Sequence, residues 1–252
     1  MSTLPASTRL SLWVTAAWAG HLDLEDAVGR SMPDIDHVGG DLDRLALWQD
    51  LGERVLGCAL PRPGDLTGMP RGDFAFTGAA AEVGECVYVP ALGGALVPTI
   101  ETYGPDGDTG TRVTWAAFDC EPTPVHQLES LQESQIERDL ADLVRAATHA
   151  FETLDVSPWA GSTARAQVDS RVRDREWGLP PGLPGRAHRI LVLAGSIGAA
   201  VDIALEESPA VGVHDLGERH ALLLRLRAGA DRALAQATTS CALALGGLRP
   251  AR

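Results

Sequence analysis

Apolar residues recur at helical spacing near the start of the chain. The pattern predicts short helices over residues 8–20 and 23–31. A longer amphipathic helix is predicted over 41–57, with a glycine at its last position as the terminator. The segment 61–73 is dense in proline and glycine, which predicts a loop.

The middle of the chain has the pattern of β-strands. Three segments rich in β-branched and aromatic residues lie at 85–92, 95–104 and 111–119, and the turn GPDGDTG joins the last two. Neighbouring strands joined by short turns pair antiparallel, so a three-stranded meander is predicted. Pro90 and Pro98 cannot donate a ladder hydrogen bond, so we expect them at edges or breaks.

From residue 124 onward the helical pattern returns. Two further helices are predicted over 186–207 and 215–245. A helical segment that precedes these two carries one apolar face between residues 128 and 154. On that face, Leu140, Leu143 and Phe151 are expected to be buried. That face consists of Leu128, Leu131, Ile136, Leu140, Leu143, Ala147, Phe151 and Leu154.

The predicted fold class is mainly α (α+β), a helical bundle with a small antiparallel three-stranded β-meander in the middle of the chain. We expect one compact unit. Residues 1–122 would hold the short helices and the meander, and residues 123–252 would form the helical bundle.

One stretch has two competing interpretations. The run AGSIG around Ser196 follows an apolar segment, and it resembles the nucleophile elbow of an α/β-hydrolase. His214 or His220, with Glu206 or Asp215, could complete a triad on paper, but the 56 residues after Ser196 leave no room for the parallel strands which that fold requires. Apolar residues at three-to-four spacing predict a helix instead, in which the serine is structural.

Composition narrows the possible partners and chemistry. A formal charge of −13 disfavours nucleic acid and anionic membranes, because phosphate groups would be repelled. The chain has no lysine and no asparagine, which excludes the P-loop lysine, Schiff-base chemistry and N-glycosylation. Such a composition is typical of a GC-rich bacterial genome.

Targeting signals and cysteines favour a cytoplasmic protein. The four cysteines, Cys58, Cys86, Cys120 and Cys241, are widely spaced and form no C-x-x-C motif, which indicates reduced thiols. Residues 9–19 contain a short apolar run ending in an A-x-A-like signal-cleavage site, but a first helix explains them better. No segment approaches 18 consecutive apolar residues, so no membrane span is expected.

Two charged clusters raise the question of ligands. The run DIDHVGGDLD could offer oxygen and nitrogen ligands to a divalent metal, but we interpret it as a solvated loop in which Asp41 caps a helix. Its candidate ligands are Asp34, Asp36, His37, Asp41 and Asp43. The arginines at 165–175 could bind phosphate, but pairing with the chain's own acids is favoured. No metal and no cofactor are predicted.

The surface most suited to a partner is predicted on the meander. In the strand at 111–119, Val113, Trp115 and Ala117 share one face, whereas Arg112, Thr114, Ala116 and Phe118 share the other. The two tyrosines lie in the two preceding strands. We expect Tyr88, Tyr103, Arg112 and Trp115 to border a binding or self-association surface. The competing interpretation is that the chain's own helices cover both faces.

These patterns predict a non-catalytic interaction or regulatory protein that associates with itself or with another protein. The main reason is that the motifs of known enzyme classes are missing from the sequence. The alternative is a small-molecule-binding protein or a hydrolytic enzyme, with a pocket between the β-meander and the helical bundle.

Overall fold

The computed structural model of the chain describes residues 4–105, 108–153, 178–206 and 213–249. These residues form eight helices and five strands. The helices are α1 (Ala6–Trp18), α2 (Leu24–Ser31), α3 (Asp43–Asp50), α4 (Phe74–Val83), α5 (Val125–Glu129), α6 (Glu133–Thr153), α7 (Gly185–Glu206) and α8 (Val213–Leu245). The strands are β1 (His37–Gly40), β2 (Gly57–Ala59), β3 (Cys86–Val89), β4 (Gly94–Tyr103) and β5 (Gly110–Asp119).

The strands form one five-stranded mixed sheet in the order β1-β5-β4-β3-β2. β1 runs parallel to β5, and the remaining pairs are antiparallel. The predicted fold class, a helical bundle with a three-stranded antiparallel meander, is therefore wrong. The molecule is α+β, with 55% helix. The three predicted strands do exist as β3, β4 and β5, whereas the strand at each end of the sheet was not predicted.

β1 is held in place by the acidic run that was interpreted as a loop. Asp36 donates its N–H to Thr111 O at 3.0 Å, and its Oδ2 accepts from Thr111 N at 2.7 Å. At the other end of the strand, Asp41 donates its N–H to Trp115 O at 2.8 Å and accepts from Ala117 N at 2.8 Å. Each aspartate extends the parallel ladder by a side-chain bond, so four residues suffice for a strand.

β2 lies where the long helix over 41–57 was expected to end. The helix stops at Asp50, and Gly52 follows with φ of +98°, a conformation that glycine adopts easily. Gly57 then packs under the ring of Tyr88, where a Cβ atom would lie 2.6 Å from ring carbon Cζ. Gly57 thus serves close packing in a strand, and the prediction that it terminates a helix is wrong.

Helices cover both faces of the sheet, but unequally. On the first face, α1, α2 and α3 bury a cluster that includes Leu96 and Trp115. On the second face, α4 covers a smaller cluster around Phe76 and Tyr88. The N-terminus of α4 is capped by Asp73, whose Oδ1 accepts from Phe76 N at 2.8 Å. The alternation predicted for β5 is confirmed, since Val113 and Trp115 are buried and Arg112 and Thr114 exposed.

A third core joins the C-terminal helices to the sheet. α8 packs along α7 and α6, and its last turns contact α1 and β2. The apolar face predicted from 124 onward divides between α5 and α6. Leu140 is 2% exposed, whereas Leu143 and Phe151 are only partly buried. Leu154 lies outside the described residues.

α7 contains Ser196 in the middle of a continuous helix. The helical interpretation is thus confirmed, because Ser196 Oγ donates to Val192 O, one turn back, at 2.7 Å. Within the described ranges, α7 is also the one helix long and apolar enough to cross a bilayer by length and composition, a test that buried helices of globular proteins also pass. It packs along α8, whose Arg227 donates to Gly198 O at 3.2 Å.

Candidate functional site

The four residues predicted to border a binding surface do not lie together. Tyr88 is 5% exposed and packs in the cluster under α4. Trp115 is 1% exposed and packs in the cluster on the opposite face. Both side chains are therefore part of the core and unavailable to a partner. The predicted surface reduces to Tyr103 and Arg112.

Tyr103 and Arg112 contact each other on the exposed end of the sheet. The Arg112 guanidinium lies 5.1 Å from the centroid of the Tyr103 ring, a cation–π distance. The His37 ring of β1 also stacks on the Tyr103 ring, with a distance of 5.6 Å between the two ring centroids. Residues from three strands thus form a layered cluster of two rings and one guanidinium.

The register of the strands explains why these side chains lie next to each other. Arg112 pairs with Glu101 across β4 and β5 and with His37 across β1 and β5, so all three side chains point to the same face. Tyr103 pairs with Gly110, where a Cβ atom would lie 2.6 Å from ring carbon Cζ of Tyr103. The missing side chain at Gly110 makes room for the tyrosine ring.

Few of the described residues pack over this end of the sheet. Beyond Leu96, the register pairs β4 with β5 alone among the described strands, so Pro98 has no neighbour on β3, whereas β1 continues the sheet beyond β5. The expectation that the strand of Pro98 is an edge strand or is broken is wrong, because β4 is continuous and lies between β3 and β5, although Pro98 itself lies beyond the last pair with β3. α4 reaches the same face only at the opposite end, where Phe76 meets Phe118 at a centroid distance of 5.8 Å.

We call this exposed surface the open sheet end. It consists of His37, Thr99, Glu101, Tyr103, Arg112 and Thr114, all of them exposed.

A cavity lies near the other end of β4. Its volume is about 450 Å³, and four separate segments of the chain contribute to it. We call it the Glu53 cavity. Its lining residues are Gly52, Glu53, Arg54, Val55, Pro90, Ala91, Thr123, Val125, Leu128, Glu129, Leu243, Leu248 and Arg249. It thus lies between the β3–β4 turn, α5 and the end of α8.

Glu53 is the most buried charged group of that cavity, with 5% of the residue exposed. Its Oε1 accepts from Ala91 N at 2.9 Å and from Leu92 N at 2.6 Å, which holds the carboxyl against the β3–β4 turn. Burial raises the pKa of Glu53, and the two backbone N–H bonds partly oppose that shift. Glu53 was not predicted as a site residue, because the apolar pattern placed it in a helix and no local pattern marks a cavity residue.

The thiols of the four cysteines are disfavoured as nucleophiles, because burial favours their protonated form. Burial raises the pKa of the Cys120 and Cys241 thiols to about 12, and it also raises the pKa of Cys58 and Cys86. The described residues hold no cluster of three histidine, cysteine or acidic side chains that could bind a metal ion. In the acidic run, Asp34 pairs with Arg9 while Asp36 and Asp41 bind the β5 backbone. The arginines at 165–175 lie outside the described residues.

Comparisons with known proteins place the chain in a family. A model of the N-terminal domain of Rv1486c-like proteins matches residues 7–129, and a model of their C-terminal domain matches residues 134–235. The chain belongs to the Rv1486c-like proteins. No curated protein and no solved structure matches it.

The two domain matches locate both candidate regions. The open sheet end lies wholly inside the N-terminal match. The Glu53 cavity is formed mostly by that same match, but its wall at residues 243–249 lies beyond the C-terminal match. The boundary between the two matches falls at 130–133, between α5 and α6.

Proposed function

We propose that this Rv1486c-like protein is a non-catalytic interaction protein of the cytoplasm that self-associates through the open sheet end. The observation that carries the proposal is the exposed cluster of His37, Tyr103 and Arg112, at an end of the sheet face that none of the described helices covers. Tyrosine and arginine are the residue types that most often dominate binding energy at protein interfaces.

The cluster is ordered before any partner arrives. The stacked His37 ring restricts the Tyr103 ring, and the cation–π contact with Tyr103 restricts Arg112. Side chains that are already restricted lose less conformational entropy on association, so more of the contact energy remains for binding.

A second copy of the chain fits this surface by charge. Glu101 and Arg112 pair across neighbouring strands, so the open sheet end presents one acidic and one basic group side by side. A two-fold axis over that pair would bring Arg112 of each copy toward Glu101 of the other, as a self-complementary interface requires. The whole chain is strongly acidic, with a formal charge of −13, so two copies repel each other at long range. The contact of Arg112 with Glu101 of the other copy has to offset that repulsion.

The remaining chemistry supports binding rather than catalysis. Ser196 donates to its own helix, and the buried cysteines stay protonated because their pKa values are raised. All four cysteines are free, which suits a reducing compartment.

The experiment is sedimentation of the full chain over a wide concentration range, for the wild type and for the double variant Tyr103→Ala/Arg112→Ala. We expect the wild type to form a dimer, and the double variant to dimerise at least ~10-fold more weakly with nearly unchanged melting, because both residues are exposed. The matched control is Arg71→Ala/Phe74→Ala, which removes an exposed arginine and an exposed aromatic ring near α4. A wild type that stays monomeric, or a double variant that dimerises normally, would contradict the proposal.

A further inference from the structure

We propose that the Glu53 cavity binds a medium-chain aliphatic alcohol, with Glu53 and Thr123 holding the hydroxyl group. This inference is independent of self-association, which concerns the opposite end of β4. It assigns a ligand class to a cavity that the family matches leave without a role.

The size and lining of the cavity suit an aliphatic chain. A volume of about 450 Å³ falls within the range of about 300–1,000 Å³ typical of small-molecule pockets. Most of the wall is apolar, and part of it is exposed, since Val125 is 67% and Leu248 52% exposed. Covering that surface with an aliphatic ligand would gain about 25 cal/mol per Å² removed from water.

Glu53 selects a ligand that can donate a hydrogen bond. Its Oε1 is already engaged by the N–H groups of Ala91 and Leu92, so the carboxyl group is fixed in orientation. In its ionised form this carboxyl group only accepts hydrogen bonds, so a head group next to that form has to be a donor. A ligand carboxylate would instead meet a like charge in partly apolar surroundings.

Thr123 supplies a complementary group. Its Oγ1 is buried and has no hydrogen-bond partner among the described residues, whereas its N–H donates to Pro90 O at 2.9 Å. A buried hydroxyl without a partner is costly, and a ligand that pairs with it recovers that cost. A hydroxyl group both donates and accepts, so it can donate to Glu53 and accept from Thr123.

The basic residues of the wall do not favour an anionic ligand. The Arg249 guanidinium donates to the carbonyl oxygens of Leu128 and Leu131, so it holds the end of α5 in place. The formal charges of the lining balance, because Glu53 and Glu129 offset Arg54 and Arg249. A neutral head group therefore matches the cavity better than a charged one.

The test compares 1-octanol with octanoate, both below the concentration at which they aggregate. Binding to the full chain is measured by calorimetry, and the site is located by the amide resonances of Ala91 and Leu92. We expect saturable binding of 1-octanol with shifts at these two amides, and binding of octanoate that is at least ~10-fold weaker, because it cannot donate to Glu53.

Two variants and one control sharpen the test. In Glu53→Gln, the amide oxygen still accepts from Ala91 and Leu92 while its NH₂ becomes a donor, so the preference for octanol over octanoate should fall at least ~10-fold. Val125→Trp, at an exposed position of the wall, should obstruct the cavity and weaken both ligands without unfolding the chain. The control Glu82→Gln, on the exposed face of α4, should change neither affinity.

Three results would overturn the proposal. The first is a wild type without saturable octanol binding, and the second is equal affinity for octanol and octanoate. The third is an unchanged preference in a folded Glu53→Gln. If Glu53→Gln does not fold, undiminished octanol binding by Val125→Trp would overturn it as well. Octanol binding should persist in Tyr103→Ala/Arg112→Ala, which separates this site from self-association.

Discussion

The two ends of β4 differ in almost every respect, although one continuous strand connects them. At its start, Gly94 to Leu96 are buried, with β3 and β5 on either side. At its end, Thr99 to Tyr103 are exposed, and β5 is the one neighbour that the register gives them. The buried start adjoins the β3–β4 turn and the Glu53 cavity, whereas the exposed end forms the open sheet end.

The difference shows that the packing of other helices against the sheet, and not the local sequence, decides which half of the strand is buried. Leu96 and Ile100 are both large aliphatic residues, and they share a face because they are four positions apart in one strand. Leu96 is fully buried under α1 to α3, whereas Ile100 is 46% exposed. The same residue chemistry therefore stabilises the core at one end and is left exposed at the other.

The largest expected effect comes from truncating these two aliphatic residues. Leu96→Ala should lower the free energy of unfolding by about 3 kcal/mol, because it leaves a cavity in the core. Ile100→Ala should cost less than about 1 kcal/mol, since about half of its surface stays in water. Urea denaturation of both variants measures the two costs. Equal losses would mean that Ile100, on the sheet face opposite the open sheet end, is covered in solution.

An intermediate effect is expected at the two glutamates. Glu53→Ala leaves the N–H groups of Ala91 and Leu92 without their acceptor, which should cost about 2 kcal/mol. Glu101→Ala removes the exposed cross-strand neighbour of Arg112 and should change stability by less than about 0.5 kcal/mol. Thermal or urea unfolding of both variants measures the two losses of stability. A cost at Glu53 no larger than that at Glu101 would contradict its role in holding the β3–β4 turn.

The smallest effect concerns the glycine under Tyr103. Gly110→Ala places a methyl group where it would lie 2.6 Å from the tyrosine ring, so the ring has to move. We expect dimerisation to weaken about fivefold, or ~1 kcal/mol, with little change in melting. The matched control is Gly78→Ala in α4, where an added methyl group has no neighbour within 4 Å. Sedimentation that cannot distinguish the two alanine variants would count against Tyr103 as an interface residue.

Local pattern predicted those elements whose stabilising contacts lie close in sequence. The helices α1, α2, α7 and α8 follow from apolar spacing over a few turns, because their backbone hydrogen bonds join residues four apart. The hairpin of β4 and β5 follows from alternation and its glycine-rich turn. Even the structural role of Ser196 could be inferred from helical phase alone.

The two strands that were missed depend on distant partners. β1 is held by bonds from Asp36 and Asp41 to residues 75 and 76 positions away. β2 is held by Cys58, whose N–H donates to Thr239 Oγ1 at 3.2 Å across 181 residues. Nothing near these short segments in the sequence specifies such contacts, since a strand becomes a strand only when a partner edge is present.

By itself, the sequence determined the helices α1, α2, α7 and α8, the three strands β3, β4 and β5, and the alternation of buried and exposed residues on β5. Only the tertiary structure decided that Tyr88 and Trp115 are buried whereas Tyr103 and Arg112 remain exposed. It alone also placed Glu53 beside the β3–β4 turn and His37 beside Tyr103. The physical reason is that periodicity records which side of an element is apolar, whereas the cover on each side depends on how distant parts of the chain pack.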